Sequence, residues 1–597
     1  MVQSGTIRDK HAALFRPGRI GGYEVPNRLV MPPMTTRSAD NDGFVTEDSH
    51  AYYRARAEGG VGLITVEMAS PEKIGRHRFN ELGMYDDRFV PGLSGLVETI
   101  HAAGSGASIQ LGHGGAHTRE TVCGGRPIAP SSIPHPVVEG DLEIVVPAEM
   151  NAERIAQCVE AHAKAFERAA SAGFDTCEIH AAHGYLLSQF LSPLENQRDD
   201  DYGGLFENRA RFAREIVRAC KAAVPEMPLI FRMNGDDFFF GGMTAAEARQ
   251  LAVWVAEDGA DAIHVTAGHY RSQPSAAIMI PPMAEGPGPF LRFSREIRKL
   301  VQVPIIAVGR LGDPDDAARA LEDGSADFIA LGRSLLADPA WPRKVRQGRP
   351  VRACLGCNTC VDEMRAGNRL HCLVNPVSGC ERRLGKPNGP VNEKIAVIGA
   401  GPAGLSYAAL AAARNKVTIF EKYPKAGGAF NWASRAPLFQ TVKPVASSFD
   451  RYIASLEAMS DEAGVVRHYG LDPFEDRSLL EGFDRIVIAT GADYRAGLGP
   501  IVRAALSLGL ANWPGLSALA RRDGVRDWFY HRARRATGKR LAVRLPDGIP
   551  YEIIGDAKVA GKSLPAIRSA FEAALKPEIE VQKLASVEGE EARTVAR

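Results

Sequence analysis

The chain lacks any apolar run long enough to span a membrane. Its opening residues, Met1-Val-Gln-Ser-Gly-Thr-Ile-Arg8, carry no apolar signal core. Net charge is only +1, so no broad field favours nucleic acid or an anionic membrane. A soluble cytoplasmic protein with no nucleic-acid or membrane partner is expected. The nine cysteines do not read as a disulfide framework, which belongs to small secreted domains. Cys123, Cys158, Cys177 and Cys220 are scattered and read as ordinary buried thiols. At 597 residues the chain is too long for one core, and two to four domains are expected.

What is present is concentrated chemistry. Cys354-Leu-Gly-Cys357-Asn-Thr-Cys360 is followed by Cys372, a C-x2-C-x2-C-x11-C run. Four thiolates this close can hold an iron–sulfur cluster, and a zinc site is the alternative. Before this run, short apolar segments alternate with amphipathic stretches, at 29–31, 63–66, 107–110, 176–180, 229–232, 262–265, 305–308 and 328–330. That rhythm is one of βα units with a parallel sheet. Polar residues recur at the segment ends (Glu67, Gln110, His180, Arg232, His264), as at the active face of a (β/α)8 barrel. A doubly wound sheet is the competing architecture.

After a Pro/Gly/Arg-rich stretch comes Lys394-Ile-Ala-Val-Ile-Gly399-Ala-Gly401-Pro-Ala-Gly404, a strand running into G-x-G-x-x-G and a helix. A second strand ends in Glu421 about 20 residues on, which completes a dinucleotide fingerprint. The helix start suits a pyrophosphate, and Glu421 suits a ribose hydroxyl. The fold class is therefore α/β: an N-terminal (β/α)8 barrel over 1–345, a cluster segment and linker over 346–390, and a Rossmann-like domain over 391–495 and 550–580. Residues 496–549 hold no second glycine fingerprint and are short for a domain, so they read as a shortened nucleotide-domain remnant. The charged tail after Ile579 is expected to be partly mobile.

The chain resembles the multidomain iron–sulfur branch of the NADH:flavin oxidoreductase / old yellow enzyme family, the group of 2,4-dienoyl-CoA reductase and trimethylamine dehydrogenase. The residues carrying the likeness are Met31-Pro-Pro33-Met34-Thr35, Glu178-Ile-His180-Ala-Ala-His183-Gly-Tyr185, Phe190-Leu-Ser-Pro193, Tyr202-Gly-Gly204, Gly309-Arg310, Gly332-Arg333, the cysteine run and the Gly399 fingerprint. The resemblance implies an FMN flanked by Pro33, Met34 and Thr35. Gln110 would bond its pyrimidine edge, Arg232 would lie near N1–C2, and Gly309, Gly332 and Arg333 would take the phosphate. It implies His180 and His183 orienting a carbonyl oxygen, Tyr185 as proton donor, and His269 as a further acid or base, with Arg271 competing for that place. Cys354, Cys357, Cys360 and Cys372 would hold a 4Fe-4S cluster. Gly399, Gly401, Gly404, Glu421, Gly428, Thr490, Gly491, Gly555 and Asp556 would contact FAD (or ADP).

Two departures bear on substrate and partner. The second and third cysteines are two residues apart, the amine-dehydrogenase spacing, whereas dienoyl-CoA reductases have three. Yet aromatics are only 7% of the chain, and Met364 stands where a cage tryptophan would be expected. Reduction of the activated C=C of an α,β-unsaturated carbonyl or CoA thioester is the first expectation. Amine dehydrogenation or oxidative N-demethylation is the alternative, and a non-catalytic electron-transfer subunit is a third reading. Expected partners are a small-molecule substrate, a carrier such as an electron-transfer flavoprotein or ferredoxin, or NAD(P)H at the FMN site, and a second copy in a homo-oligomer.

Overall fold

The computed structural model describes residues 10–137, 142–385, 388–495 and 499–576. The tail beyond Ile579 lies outside the described residues. Eight parallel strands form the first unit: β1 (Leu29–Met31), β2 (Leu63–Ser70), β3 (Gly106–Leu111), β4 (Thr176–Ala181), β5 (Leu229–Asn234), β6 (Ala262–Thr266), β7 (Ile305–Val308) and β8 (Phe328–Ala330). Neighbours pair in chain order, and β8 and β2 both pair with β1, which closes the barrel. β2, β3, β4, β5 and β6 are buried along their whole length because helices cover the outside and side chains fill the inside.

Several strands run further than their apolar runs suggest, β5 to Asn234 and β2 to Ser70. The polar residues that seemed to end them stay inside the barrel mouth. A shift of register between Val66 and Ala69 re-aims the end of β2. The covering helices start at side-chain caps. Thr46 and Ser49, then Thr244 and Glu247, form capping boxes, and the Asn151 side chain accepts from Arg154 N.

The barrel interior changes character along its axis. A hairpin, Gly18–Ile20 with Tyr23–Val25, closes the bottom. Its Ile20 and Val25 join Val30, Leu63, Ile230, Ala262, Ile306 and Phe328 in one buried apolar layer. Side chains of a strand repeat on the same face every second residue. Two residues beyond Ile230 is Arg232, and two beyond Ala262 is His264. The polar site is therefore the next layer above a dry floor.

The second unit is a five-stranded parallel sheet, in the order Val466–Tyr469, Lys416–Glu421, Lys394–Ile398, Arg485–Ile488, Tyr551–Ile553. The last strand, from beyond residue 550, completes the sheet begun before residue 495. Between them, residues 499–549 form short helices and a strand, Arg534–Ala536, antiparallel to Ala492–Tyr494. This stretch buries little apolar side chain, and Ile501, Leu508, Trp513, Leu516 and Trp528 are exposed. Among the described residues no helix is long and apolar enough to cross a membrane.

The cysteine segment is bolted to the barrel by a buried cation. Arg56 is fully buried, with Nη1 2.5 Å from Glu381 Oε1 and Nη2 donating to Ser378 Oγ at 2.7 Å. Its guanidinium lies 3.6 Å over the Tyr52 ring. Removing one partner of such a pair strands the other charge, at a cost of about 3–5 kcal/mol. Glu381→Ala should therefore lower the thermal midpoint and speed tryptic cleavage after Arg382 and Arg383, read by calorimetry and limited proteolysis.

Candidate active site and redox centres

A cavity of about 370 Å³ opens at the C-terminal ends of the barrel strands. It is lined by Pro33, Met34 and Thr35, by Gln110, His180, His183, Tyr185 and Arg232, and by Gly309, Gly332 and Arg333. Cys354 and Cys360 line it as well. The barrel fold thus brings residues from six strand ends and the cysteine segment to one space.

Beneath the cavity lies a buried carboxylate, Glu178. Its Oε1 accepts from Gln110 Nε2 at 2.7 Å and is 3.8 Å from Arg232 Nη1, and its Oε2 is 2.8 Å from His264 Nδ1. Register explains the meeting: Glu178 lies opposite Gln110, and His180, Arg232 and His264 are aligned across β4, β5 and β6. Burial alone would raise the carboxyl's pKa, but His264, Arg232 and Gln110 hold it below the ordinary carboxylate range. Burial pushes the pKa of His264 down, so its Nδ1–H donates to Glu178 as a neutral imidazole.

The two histidines of the upper layer are neutral too. Burial, reinforced by the Arg232 charge, pushes His180 and His183 well below the usual histidine value. Their ring centroids are 5.2 Å apart, and His180 is 5.0 Å from the Tyr185 ring. His183 Nε2 lies 3.0 Å from Thr266 Oγ1. His183 takes φ +66°, unusual outside glycine, and Gly184 follows at +89°. This left-handed pair turns the chain so that Tyr185 comes back over the cavity. A Cβ on Gly184 would lie 2.5 Å from His269 Cε1, so glycine is required there. Arg78, 3% exposed, donates from Nη1 to Thr35 Oγ1 and reaches the Tyr185 hydroxyl from Nη2 at 3.4 Å.

His269, expected as a further acid or base, does not line this cavity. The ring is fully buried behind the cavity wall. Nδ1 accepts from Arg271 N at 3.1 Å, and Nε2 is 2.9 Å from Glu195 Oε2. Glu195 also accepts from His135, which in turn contacts His117. Nδ1 is thereby committed to the backbone, while Nε2 lies within ion-pair distance of Glu195 without making a hydrogen bond. Arg271 points away, donating to Pro134 O. The neighbour Tyr270 lines the cavity instead, stacked 4.4 Å from His117.

The lining suits a flavin. Arg232 Nε and His180 Nδ1 are buried with no partner among the protein's atoms, and buried polar groups in native proteins are seldom left so. Gly309 and Gly332 stand on the loops after β7 and β8, where barrels form phosphate sites. Side chains there would press on Phe290 at 3.0 Å and on Met34 at 3.2 Å.

The four cysteines converge on one locus. Cys357 and Cys372 are buried and Cys354 and Cys360 half-buried. Burial pushes Cys372 up to about 12, with Cys354 and Cys357 adding to it, and Cys360 rises through burial and then Cys372. A single tetrahedral zinc, with bonds of about 2.3 Å, needs its sulfurs roughly 3.8 Å apart. Among the described residues, the one set of three ligand atoms all within 4.8 Å is Glu72, His113 and Cys158. The four cysteine sulfurs do not contribute such a set. In the Glu72 set, Gly115 N donates to His113 Nδ1 at 3.0 Å, which leaves the proton on Nε2 and closes it to a metal.

In the second unit, Gly399 takes φ +113°, and a Cβ there would lie 2.5 Å from Ala489 O. A Cβ on Gly404 would meet Gly399 O at 2.0 Å, so both glycines are sterically required. Gly401 and Gly428 nearly touch, the Gly401 Cβ position being 3.9 Å from Gly428 Cα. Glu421 accepts from Ala400 N at 2.8 Å and Tyr423 N at 3.0 Å, which ties it to the glycine loop. The short insertion reaches the remaining positions. Thr537 bonds Thr490 Oγ1 and Gly491 O, each at 2.7 Å, and Arg534 Nη1 donates to Asp556 Oδ2 at 3.0 Å. Gly555 N donates to Ser569 Oγ at 2.7 Å.

The fold and the lining of its mouth place the chain among the flavin-dependent oxidoreductases. The chain belongs to the NADH:flavin oxidoreductase / NADH oxidase family, whose model matches residues 13–352. Residues 397–441 match the NAD(P)-binding Rossmann-like domain. The chain is 37% identical over 489 residues to an NADH oxidase of Thermoanaerobacter brockii, covering 80% of this chain and 73% of that protein. It is 33% identical over 453 residues to a cinnamate reductase of Clostridium sporogenes, covering 71% and 66%. The solved 2-naphthoyl-CoA reductase–2-naphthoyl-CoA complex shares the whole fold, with TM-score 0.83 at 24% identity over 95% of this chain and 99% of that one.

In the sequence, only the two-residue offset of Glu178 from His180, which puts both on one face of a strand, hints at its place in the site. Substituting Glu178→Gln leaves Arg232 without its counter-charge. An unbalanced cation favours the extra negative charge of a reduced ring. The midpoint potential of bound FMN should rise by roughly 30 mV or more, about 1.4 kcal/mol for two electrons, in a dye-mediated redox titration.

Proposed function

We propose that the protein reduces the activated C=C of an α,β-unsaturated carbonyl compound. The observation that carries this reading is the convergence of two neutral histidines and a tyrosine phenol on one cavity wall. Neutral imidazoles can donate hydrogen bonds to a carbonyl oxygen without protonating it, which makes the β carbon electrophilic. FMN held in the cavity would supply hydride at N5. Tyr185 would then deliver a proton to the α carbon. Arg78 lies beside that hydroxyl, where a cation favours the phenolate left after transfer. The cinnamate reductase relative supports this reaction class.

We infer a 4Fe-4S cluster on Cys354, Cys357, Cys360 and Cys372, and FAD (or ADP) at the Gly399–Gly404 loop, with Glu421 bracing that loop. The cluster would supply one-electron transfer. Residues 499–549 form no second nucleotide-binding sheet among the described residues, so the reductant is assigned to a carrier protein or to NAD(P)H entering the barrel. Amine dehydrogenation remains the second reading, favoured by the two-residue cysteine spacing.

Two experiments test these assignments. Under anaerobic conditions, enones or cinnamate-like acids should reoxidise the reduced flavin, while N-methyl amines should leave the oxidised flavin unbleached. The opposite pattern selects amine oxidation. Tyr185→Phe should slow enone reduction by about 10²–10⁴-fold, with flavin reduction by dithionite unchanged. Separately, anaerobically purified protein should contain about four iron and four acid-labile sulfide per chain, and Cys372→Ser should lose both. Zinc, or no metal, would overturn the cluster.

A further inference from the structure

The end of the cavity beyond Gly309 and Gly332 is not built by the barrel alone. Its far wall includes Arg451 and Ser455, from helix Ala446–Glu462 of the dinucleotide domain. Facing them are Arg310 and Arg333, on the loops after β7 and β8. Arg333 Nη2 donates to Pro281 O at 2.7 Å and Nη1 to Asn358 Oδ1 at 2.5 Å. Arg310 Nη1 donates to the carbonyls of Pro282 and Glu285. All these acceptors are neutral, so they orient the guanidiniums without cancelling charge. The carboxylate in this lining is Asp313, with Oδ2 3.6 Å from Arg451 Nη1, outside hydrogen-bond range.

Three cations therefore share this part of the cavity lining with one carboxylate. Arg310 is pushed below its ordinary pKa by burial first, and then by Arg333 and Arg451. Like charges so placed are unfavourable unless an anion sits among them. Ser455 Oγ accepts from Ala353 N at 3.2 Å, next to Cys354, which fixes the helix in this position.

We propose that Arg451 binds the FMN phosphate from across the domain boundary, so that the dinucleotide domain closes the flavin site of the barrel. The assignment rests on FMN occupying the cavity. It carries two consequences. FMN leaves only when the second domain lifts away, and riboflavin, which lacks the phosphate, draws nothing from Arg451.

The test compares full-length wild type with Arg451→Gln for binding of FMN and of riboflavin, followed by quenching of flavin fluorescence. Loss of one charge-assisted contact should weaken FMN about tenfold or more and speed its release, while riboflavin affinity stays unchanged. Arg451→Lys should recover part of the loss. Asp313→Asn, which keeps a helix-capping side chain but removes the opposing charge, should tighten FMN several-fold and gives an independent readout if Arg451→Gln folds poorly. Equal effects on FMN and riboflavin, or no effect on either, overturn the role of Arg451. Failure of wild type to bind either flavin overturns the FMN site itself.

Discussion

The structure depends on one buried negative charge. Glu178 sits in the barrel directly above an apolar floor, where an isolated carboxylate would be strongly disfavoured. It is tolerable because Gln110, Arg232 and His264, from three neighbouring strands, converge on it. The same contacts fix the side chains that face the cavity. A structural requirement, satisfying a buried carboxylate, therefore sets the geometry of the flavin-facing layer. His180 and His183 are kept uncharged by the same environment, through burial and the nearby Arg232.

The second organising feature is the cysteine segment. It touches the barrel through Arg56, and it reaches the flavin cavity through Cys354 and Cys360. Asn358, at φ +57° between two of the cysteines, joins Arg333 to the carbonyl of Ile280. One short peptide therefore bridges the loop after β8, the cysteine run and the cavity wall. The shortened insertion plays an analogous part in the other unit. Its Arg534 and Thr537 engage Asp556, Thr490 and Gly491, which ties it to the ends of the second sheet.

Much of the fold was legible from local pattern. The eight barrel strands, the glycine fingerprint and the cysteine spacing all express chemistry within a few residues of each other. The local pattern stops short of the true strand ends because a polar residue after an apolar run resembles a turn. In the barrel mouth those polar residues continue the ladder, since neighbouring polar side chains satisfy them. The position of His269 is hard to read from sequence for a related reason. Its neighbour Tyr270 faces the cavity, and a shift of one residue around the Gly268 turn exchanges a lining side chain for one buried beside Glu195.

By itself the sequence determined which backbone forms and ligand chemistries were available: parallel strands with covering helices, a phosphate-binding turn, and four thiols able to share a cluster. Those properties depend on spacing of 2 to 12 positions and on residue type. Only the tertiary structure decided which groups meet. Glu178 acquires its partners through strand register, Tyr185 its direction through the left-handed turn at His183, and Arg451 its place through docking of a domain more than a hundred residues downstream. Such contacts are set by long-range packing free energy, which no local window of sequence carries.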